Sequence, residues 1–335
     1  MNQTAAASDV LLSLRGLSVD YLTEKGSLRA VDHLDLDVRR GEIVGLAGES
    51  GSGKSTLALA VTRLLPAWVA RTEGSIEIAG EDVMSLSPEA MRQLRWKRLA
   101  IVFQGAMNSL NPVTTIQRQI TDALVAHGEL DRARIRARSL ELMDLVEIDS
   151  ASLNRYPHEL SGGMRQRAVI AIALALNPDL LLMDEPTTAL DVVVQRQILA
   201  KLVELQKRLS FAVLFVTHDL SLLLELCDRI AVMYAGRLME VSAADTLATE
   251  ARHPYTQGLL RSFPSLSGPR VRLSGIPGSP PSLASLPSGC PFHPRCPLAE
   301  DRCRTSVPPL RTLKDGPEDR LVACHRAEEV TTLVE

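Results

Sequence analysis

Apolar and polar residues alternate along the first 250 residues in a way that predicts short strands separated by helices. Continuous apolar runs indicate buried strands, and period-two alternation indicates strands with one exposed face. These patterns predict strands over residues 11–14, 34–38, 43–47, 75–79, 99–103, 180–184 and 211–216, and a hairpin formed by residues 230–234 and 237–241. Helical spacing predicts helices over residues 54–65, 88–94, 115–147 with a break near His127, 164–176 and 192–209. Strands that alternate with helices predict an α/β fold around a doubly wound, parallel sheet.

The composition changes at about residue 251, where the regular patterns end. Prolines then recur so often that long regular elements are excluded. They are Pro264, Pro269, Pro277, Pro280, Pro281, Pro287, Pro291, Pro294 and Pro297. The same region holds four of the five cysteines. We therefore predict a domain over residues 1–250, with a helical subdomain at about 105–165, and a loop-rich extension over 251–335.

The charge balance and the first residues limit the classes of function. With a net charge of −3 and 45% hydrophobic residues, the chain can build a large core and shows no overall attraction to nucleic acid or to an anionic membrane. Four arginines within residues 132–138 are followed by acidic residues, a pattern typical of a solvated helix face. The first nine residues lack a signal pattern, and the longest uncharged apolar run, residues 168–176, is too short to cross a bilayer. We expect a cytoplasmic protein without a membrane span.

Residues Gly48 to Ser55 read G-x-x-x-x-G-K-S directly after a predicted buried strand, the setting of a loop that binds phosphates. Glycines let consecutive backbone N–H groups curl around an anion at the start of a helix. Lys54 would neutralise the β- and γ-phosphates, and the Ser55 hydroxyl would ligate Mg²⁺. The sequence therefore predicts that a nucleoside triphosphate and Mg²⁺ are held by Gly48, Ser50, Gly51, Gly53, Lys54, Ser55 and Thr56.

Asp184 and Glu185 end the predicted strand 180–184. An acidic junction between a strand and a turn would give the same pattern. Because a phosphate loop is also present, we interpret Asp184 as a support for Mg²⁺ and Glu185 as the residue that activates the attacking water.

Residues 160–167 place Ser161, Gly162 and Gly163 at the start of a predicted helix, which by itself is a plain N-cap motif. Other motifs occur in a consistent order: Gln104 follows strand 99–103, Ala189-Leu190-Asp191 follow Glu185, and Thr217-His218-Asp219 follow strand 211–216. Together these motifs resemble those of the ATP-binding cassette (ABC) ATPases and cover residues 12–241. The resemblance implies a P-loop NTPase cassette with a parallel-sheet core, an antiparallel β subdomain and a helical subdomain.

The resemblance also implies roles for individual residues. Tyr21 would stack on the adenine, Gln104 would contact Mg²⁺ and a membrane partner, and His218 would contact the γ-phosphate. Ser161, Gly162, Gly163 and Asp191 would belong to the nucleotide site, with Ser161 and Gly163 facing a nucleotide bound to an opposing subunit. Since the chain carries one set of motifs, the resemblance implies a partner cassette, either a second copy or a related chain.

Two segments of the extension, His253-Pro254-Tyr255-Thr256 and Cys290 to Pro297, resemble the C-terminal extension of dipeptide and oligopeptide import ATPases. The resemblance implies an ATPase that drives peptide uptake from the cytoplasmic face of the inner membrane, with two transmembrane permease subunits and an extracytoplasmic solute-binding protein. Nickel or glutathione import, a soluble cassette ATPase without a transport role, and a cassette that acts as a switch for the cysteine region are the alternatives.

The cysteines of the extension are Cys290, Cys296, Cys303 and Cys324. Four thiolates can hold zinc or an iron–sulfur cluster, and the wide spacing lacks the C-x-x-C pairs typical of structural zinc. The resemblance points to a [4Fe–4S] cluster, with zinc and no metal as alternatives and with His293 or His325 able to replace one cysteine. Cys227 lies in a helical pattern and is expected to be an ordinary buried thiol.

Overall fold

The computed structural model describes residues 9–24, 26–187, 190–262, 275–313 and 320–330. Strands in these residues are β1 (Val10–Thr23), β2 (Gly26–Arg39), β3 (Ile43–Ala47), β4 (Ala70–Ile78), β5 (Glu81–Asp82), β6 (Leu99–Val102), β7 (Leu180–Asp184), β8 (Ala212–Val216), β9 (Arg229–Tyr234), β10 (Arg237–Ala243), β11 (Arg311–Thr312) and β12 (Leu321–Val322). Helices are α1 (Lys54–Val61), α2 (Pro88–Lys97), α3 (Ile116–Val125), α4 (Arg132–Leu145), α5 (Gly162–Ala173), α6 (Val192–Leu209), α7 (Leu220–Leu226), α8 (Ala244–Glu250), α9 (Pro254–Ser262) and α10 (Asp301–Thr305). No helix in these ranges is long and apolar enough to cross a bilayer.

The chain divides into two units, of which the first contains residues 1–12, 37–42 and 77–214. Its strands β7 and β6 are neighbours and run parallel, and β7 also neighbours β8, whose residues up to Leu214 belong to this unit. Every residue of β7 is buried, as its apolar sequence predicts. Helix α5 packs against β6 and against α3, α4 and α6. The predicted helical break near His127 is confirmed, because α3 ends at Val125 and α4 begins at Arg132.

The second unit contains residues 13–36, 43–76 and 215–335. Its main sheet has the strand order β11, β12, β10, β9, β3. Strands β3 and β9 are parallel, while β9 and β10 form the predicted antiparallel hairpin. Strands β2, β1 and β4 are neighbours in a separate sheet. A parallel core with antiparallel additions is thus present within this unit.

Several element boundaries differ from the sequence-based prediction, most clearly those of β1, β2 and α1. Strands β1 and β2 are each 14 residues long, because exposed and half-buried residues interrupt the alternation without interrupting the strands. Helix α1 ends at Val61 rather than near residue 65, since Arg63 adopts a left-handed conformation with a φ of 48°. Regular helical geometry in α2 stops before Arg95 and Trp96, which agrees with the predicted end at residue 94.

The extension after residue 250 is rich in loops, as predicted, but it also continues the sheet of the second unit. Strand β12 pairs with β10, with Val322 opposite Glu240. Glu240 is fully buried, and its carboxylate accepts hydrogen bonds from the backbone N–H groups of Arg252 (2.8 Å) and His253 (3.0 Å). Buried Arg320 lies 3.6 Å from the same carboxylate. A buried carboxyl group on β10 therefore organises the start of the extension.

We predict that Glu240→Ala lowers the free energy of unfolding by about 3 kcal/mol, because it leaves two buried N–H groups and one buried guanidinium without this carboxylate. Urea denaturation measures the loss. Glu328→Ala is the matched control: it also removes a carboxylate paired with an arginine of the extension, but both side chains are partly exposed. We expect the control to cost less than about 1 kcal/mol. Equal losses in the two variants would contradict the organising role of Glu240.

Candidate functional site

The phosphate loop of residues 48–53 is placed by β3 and by two close backbone approaches. All five residues of β3 are buried, so the loop starts at the carboxyl end of a fully buried strand. A Cβ atom at Gly48 would overlap the carbonyl oxygen of Met233, and one at Gly53 would overlap that of Ala30. Both glycines have positive φ angles, 152° and 104°. Only glycine fits these two positions, which explains why the motif has a glycine at each of them.

The side chain of Lys54 lies inside the loop that precedes it. Its Nζ atom donates hydrogen bonds to the carbonyl oxygens of Gly48 (2.8 Å) and Glu49 (3.0 Å), and the residue is 6% exposed. Ser55 is exposed at the first turn of α1, while Ser52 is buried. An ammonium group at this position can neutralise an anion that the loop binds.

Tyr21 lies beside the start of α1. Its hydroxyl is 3.2 Å from the Thr56 hydroxyl, and the ring is only partly buried. A tyrosine beside the phosphate loop is compatible with the predicted contact to a base, which stays a prediction.

His218 stands at the end of β8, on the same sheet edge as the loop. The N–H group of Thr217 donates to the carbonyl oxygen of Leu46 in β3 (3.2 Å), two residues before the loop begins. Asp219 accepts a hydrogen bond from the N–H group of Leu222 and thereby caps α7. These contacts hold the exposed His218 between a strand end and a capped helix.

In the first unit, the ends of two parallel strands bring Gln104 and Glu185 together. Gln104 Nε2 donates a 3.0 Å hydrogen bond to Glu185 Oε2, although the residues are 81 positions apart. Asp184 is buried at the last position of β7. Glu185 has a φ of 44°, a left-handed conformation that costs a non-glycine residue about 1 kcal/mol. Such strain at an acidic residue is typical of a functional position.

The motif at residues 160–167 forms the start of α5. Ser161 is the N-cap, and its hydroxyl accepts a 3.3 Å hydrogen bond from the N–H group of Met164. A Cβ atom at Gly163 would lie 2.8 Å from the side chain of Val194 in α6, so a larger residue does not fit without a shift. Asp191 caps α6 through the N–H groups of Val193 and Val194. Ala189 of the predicted motif lies outside the described residues.

The predicted site residues thus fall on both units. The second unit holds Tyr21, the phosphate loop through Thr56, and His218. The first unit holds Gln104, Asp184, Glu185, the Ser161 motif and Asp191.

The four cysteines of the extension line one cavity of about 20 Å³, together with His253, Phe292, His293 and His325. All four are free thiols. Burial, with a smaller contribution from the neighbouring cysteines, raises the pKa of Cys290 to about 11 and that of Cys324 to about 12. Within the described ranges, however, no group of three or more His, Cys, Asp or Glu side chains is arranged to hold a metal ion. The expected cluster and its zinc alternative therefore gain no direct support.

Sequence reasoning missed the contacts that the extension makes with the phosphate loop. Arg295 forms an ion pair with Glu49 at 2.7 Å, and the Tyr255 hydroxyl accepts a hydrogen bond from the Glu49 N–H group at 2.9 Å. Both residues lie in segments that carry the resemblance to peptide import ATPases. No local pattern could identify their partner, which lies more than 200 positions away.

Comparison with known proteins identifies related sequences and folds. The ABC transporter family model matches residues 31–188, and the model of the oligopeptide/dipeptide transporter C-terminal region matches residues 239–303. A probable peptide ABC transporter ATP-binding protein of Sinorhizobium fredii is 44% identical, over 99% of each chain. A dipeptide transport ATP-binding protein of Escherichia coli is 43% identical, over 94% of this chain and 96% of its own. A dimeric bacterial ABC transporter cassette has a similar structure, with a TM-score of 0.62 and 28% identity over 70% of this chain and 99% of its own.

We predict that Gly48→Ala lowers the free energy of unfolding by more than about 3 kcal/mol, because the new methyl group would overlap a backbone carbonyl that cannot move away cheaply. Gly51→Ala is the matched control. It also requires a positive φ, 79°, but its Cβ would meet nothing within 4 Å. We expect the control to cost about 1 kcal/mol. Urea denaturation without nucleotide measures both, and similar losses would show that the close approach at Gly48 is not limiting.

Proposed function

The chain belongs to the ATP-binding proteins of peptide ABC transporters, and on that basis we propose that it binds and hydrolyses ATP to drive the uptake of dipeptides or oligopeptides. One observation carries the catalytic part of this proposal. The phosphate loop has a glycine-enforced shape and a buried lysine that reaches into it. Such a loop is suited to the β- and γ-phosphates of a nucleotide.

We assign the steps of hydrolysis to the predicted residues. Lys54 binds the outer phosphates, Ser55 and Asp184 ligate Mg²⁺, and Gln104 completes that site. Mg²⁺ supplies charge neutralisation on the phosphates when it is bound. Two neighbours are chemically suited to their roles: Glu185 can accept a proton from the attacking water, and His218 can donate a hydrogen bond to the γ-phosphate. Tyr21 stacks on the adenine in this proposal.

We infer that hydrolysis requires two cassettes. Ser161, Gly162, Gly163 and Asp191 lie at capped helix starts, where backbone N–H groups attract anions. In the proposed assembly these residues contact the nucleotide of the opposing cassette. The dimeric structure of the related cassette supports this arrangement. The second cassette is either another copy or a related chain.

The proposed assembly also contains two transmembrane permease subunits and an extracytoplasmic solute-binding protein. The cassette pair lies on the cytoplasmic face of the inner membrane and needs no nucleic acid. The permeases and the binding protein select the solute, so nickel or glutathione would use the same ATPase chemistry. The names of the relatives, which specify peptides, favour peptide cargo. The domains assigned to these roles are the cassette, residues 1–250 with its helical part at about 105–165, and the extension, residues 251–335.

The first experiment tests Glu185→Gln. We expect ATP binding to be kept and steady-state turnover to fall at least about a hundredfold, since the amide cannot accept the proton of the attacking water. Gln also keeps the size of the side chain at a strained backbone position. Glu204→Gln is the control. It replaces an exposed carboxylate on α6 by a carboxamide and should leave turnover unchanged. Equal turnover by Glu185→Gln and the wild type would remove Glu185 from its assigned role.

The same variants test the cargo in cells that lack this gene. Uptake of labelled dipeptides and longer peptides should return with the wild-type chain and with Glu204→Gln, but not with Glu185→Gln. Nickel uptake measured in parallel identifies the alternative cargo. Unchanged peptide uptake in cells without the gene would contradict peptide transport while leaving the ATPase assignment intact.

For the extension, we propose that Cys290, Cys296, Cys303 and Cys324 hold a [4Fe–4S] cluster. The observation in favour is that all four free thiols line one cavity. Four thiolates that share a single zinc must converge to about 2.3 Å from one point, whereas in a cluster each thiolate binds a different iron and the sulfurs stand farther apart. Four cysteine thiols around one cavity are a ligand set that a [4Fe–4S] cluster accepts, and the zinc alternative would use the same thiols. When bound, a cluster would cross-link loops that have little regular structure.

Metal analysis of chain purified without oxygen tests this part. We expect about four iron and four sulfide per chain, with loss of most iron in Cys290→Ser. Cys227→Ser is the control, because Cys227 is also a buried thiol but does not line the cavity. If the analysis finds one zinc per chain and no sulfide, the cysteines hold zinc and the cluster is excluded. A chain without metal would leave the cysteines as plain thiols.

A further inference from the structure

Glu49 is the second residue of the phosphate loop, and the extension holds it at two points. The carboxylate accepts two hydrogen bonds from the Arg295 guanidinium, at 2.7 and 3.1 Å, in a bidentate pair. The backbone N–H group of Glu49 donates to the Tyr255 hydroxyl at 2.9 Å. The loop motif itself leaves this position unspecified. These contacts therefore add a constraint that the general chemistry of a phosphate loop does not explain.

Arg295 is itself rigidly held. Its side chain is 6% exposed, its Nε atom donates to the carbonyl oxygen of Pro277 at 2.8 Å, and its Nη1 atom lies 3.2 Å from the Tyr234 hydroxyl. The guanidinium also lies over the rings of Tyr234 and Phe292, at 5.8 and 6.0 Å from their centres. A planar, bidentate group fixed in this way imposes both position and direction on a carboxylate.

Tyr255 is held equally firmly. It is fully buried, and its ring contacts those of Tyr234 and Phe292 with centroids 4.6 and 5.3 Å apart. Burial raises the pKa of Tyr255 well above its usual value, so the hydroxyl stays protonated and neutral at physiological pH. We define Tyr234, Tyr255 and Phe292 as the aromatic cluster. The aromatic cluster holds Tyr255 and Arg295 in the positions from which they contact the phosphate loop.

The position of Glu49 affects the groups that would touch phosphate. The carbonyl oxygen of Glu49 accepts hydrogen bonds from Lys54 Nζ (3.0 Å) and from the N–H group of Ser52 (3.2 Å). A shift of Glu49 would therefore displace Lys54 Nζ and change the backbone conformation of the phosphate loop at the same time. In addition, a Glu49 carboxylate without its arginine would repel a triphosphate.

We propose that Arg295 and Tyr255 are positioning residues of the nucleotide site, which hold the phosphate loop through Glu49 and neutralise its charge. The extension is thereby a structural part of the ATP site. This inference rests on the proposed ATP-binding function. It assigns no catalytic step to either residue, because neither one is placed against the reacting atoms.

The test measures the Kd of a fluorescent ATP analogue with Mg²⁺ for the full chain. We expect Arg295→Gln to raise Kd about tenfold and Tyr255→Phe to raise it about threefold, because each removes a hydrogen bond to the same loop residue. Kd for ADP should rise in parallel, since ADP also carries the β-phosphate. Arg311→Gln is the matched control: Arg311 forms a bidentate pair with Glu328 in the extension, and its Kd should stay within about twofold of the wild type.

A second pair of variants separates position from charge and covers a failure to fold. Arg295→Lys keeps the positive charge but loses the planar guanidinium that forms two hydrogen bonds. Its Kd should therefore lie between those of the wild type and Arg295→Gln. Glu49→Gln combined with Arg295→Gln removes the unpaired carboxylate and should recover part of the lost affinity. In the assembled transporter, Arg295→Lys should raise the KM for ATP while kcat at saturating ATP is kept, a split that general destabilisation would not give.

The outcomes distinguish this inference from the function on which it rests. If the wild-type chain binds no ATP, the proposed function fails. If the wild type binds ATP and all Arg295 and Tyr255 variants that fold bind it equally well, the positioning role is overturned and the ATPase assignment stands. If Arg295→Gln does not fold, Arg295→Lys and Tyr255→Phe decide by the same comparison.

Discussion

Two glycines of the phosphate loop leave no room for a side chain between the loop and the carbonyl oxygens of Met233 and Ala30. This close approach fixes the loop against β2 and β9 at once. The carbonyl oxygen of Ser52 accepts a hydrogen bond from the N–H group of Gly236, which lies in the turn of the β9–β10 hairpin. Since a loop that binds phosphate must keep its N–H groups in a fixed array, the hairpin serves as the frame of the site.

The extension builds on that frame because β9 ends with Tyr234. Proline-rich loops cannot form a large core of their own, and this region instead packs Tyr255 and Phe292 onto Tyr234. A second attachment comes from the buried Glu240 carboxylate, which pairs with two backbone N–H groups near the start of α9. Aromatic contacts and the hydrogen bonds of a buried carboxyl group thus replace the long helices and strands that the composition forbids. The same contacts bring the extension to the phosphate loop.

The sequence predicted those parts of the structure whose signal is local. Strands β3, β7 and β8 are short apolar runs, and each is buried along its whole length. The full lengths of β1 and β2 could not be predicted, because their exposed residues obscure the alternation. Nor could the contacts of Gln104 with Glu185 and of Arg295 with Glu49 be predicted, since only the folded chain brings residues 81 and 246 positions apart together. Motif spacing identifies site residues, but it does not identify the residues that support them.

Several proposed ligand residues also cap helices, and the two roles are compatible. Ser161 accepts a hydrogen bond from the N–H group of Met164, and a hydroxyl that accepts one bond still has its own proton to donate. A phosphate oxygen of a nucleotide bound to an opposing cassette could therefore accept a hydrogen bond from this hydroxyl while the cap stays in place. Closure of two cassettes would then add a hydrogen bond without exposing an N–H group of α5. A residue that caps a helix is thus already oriented for its ligand, and ordering it costs little additional entropy when the ligand arrives.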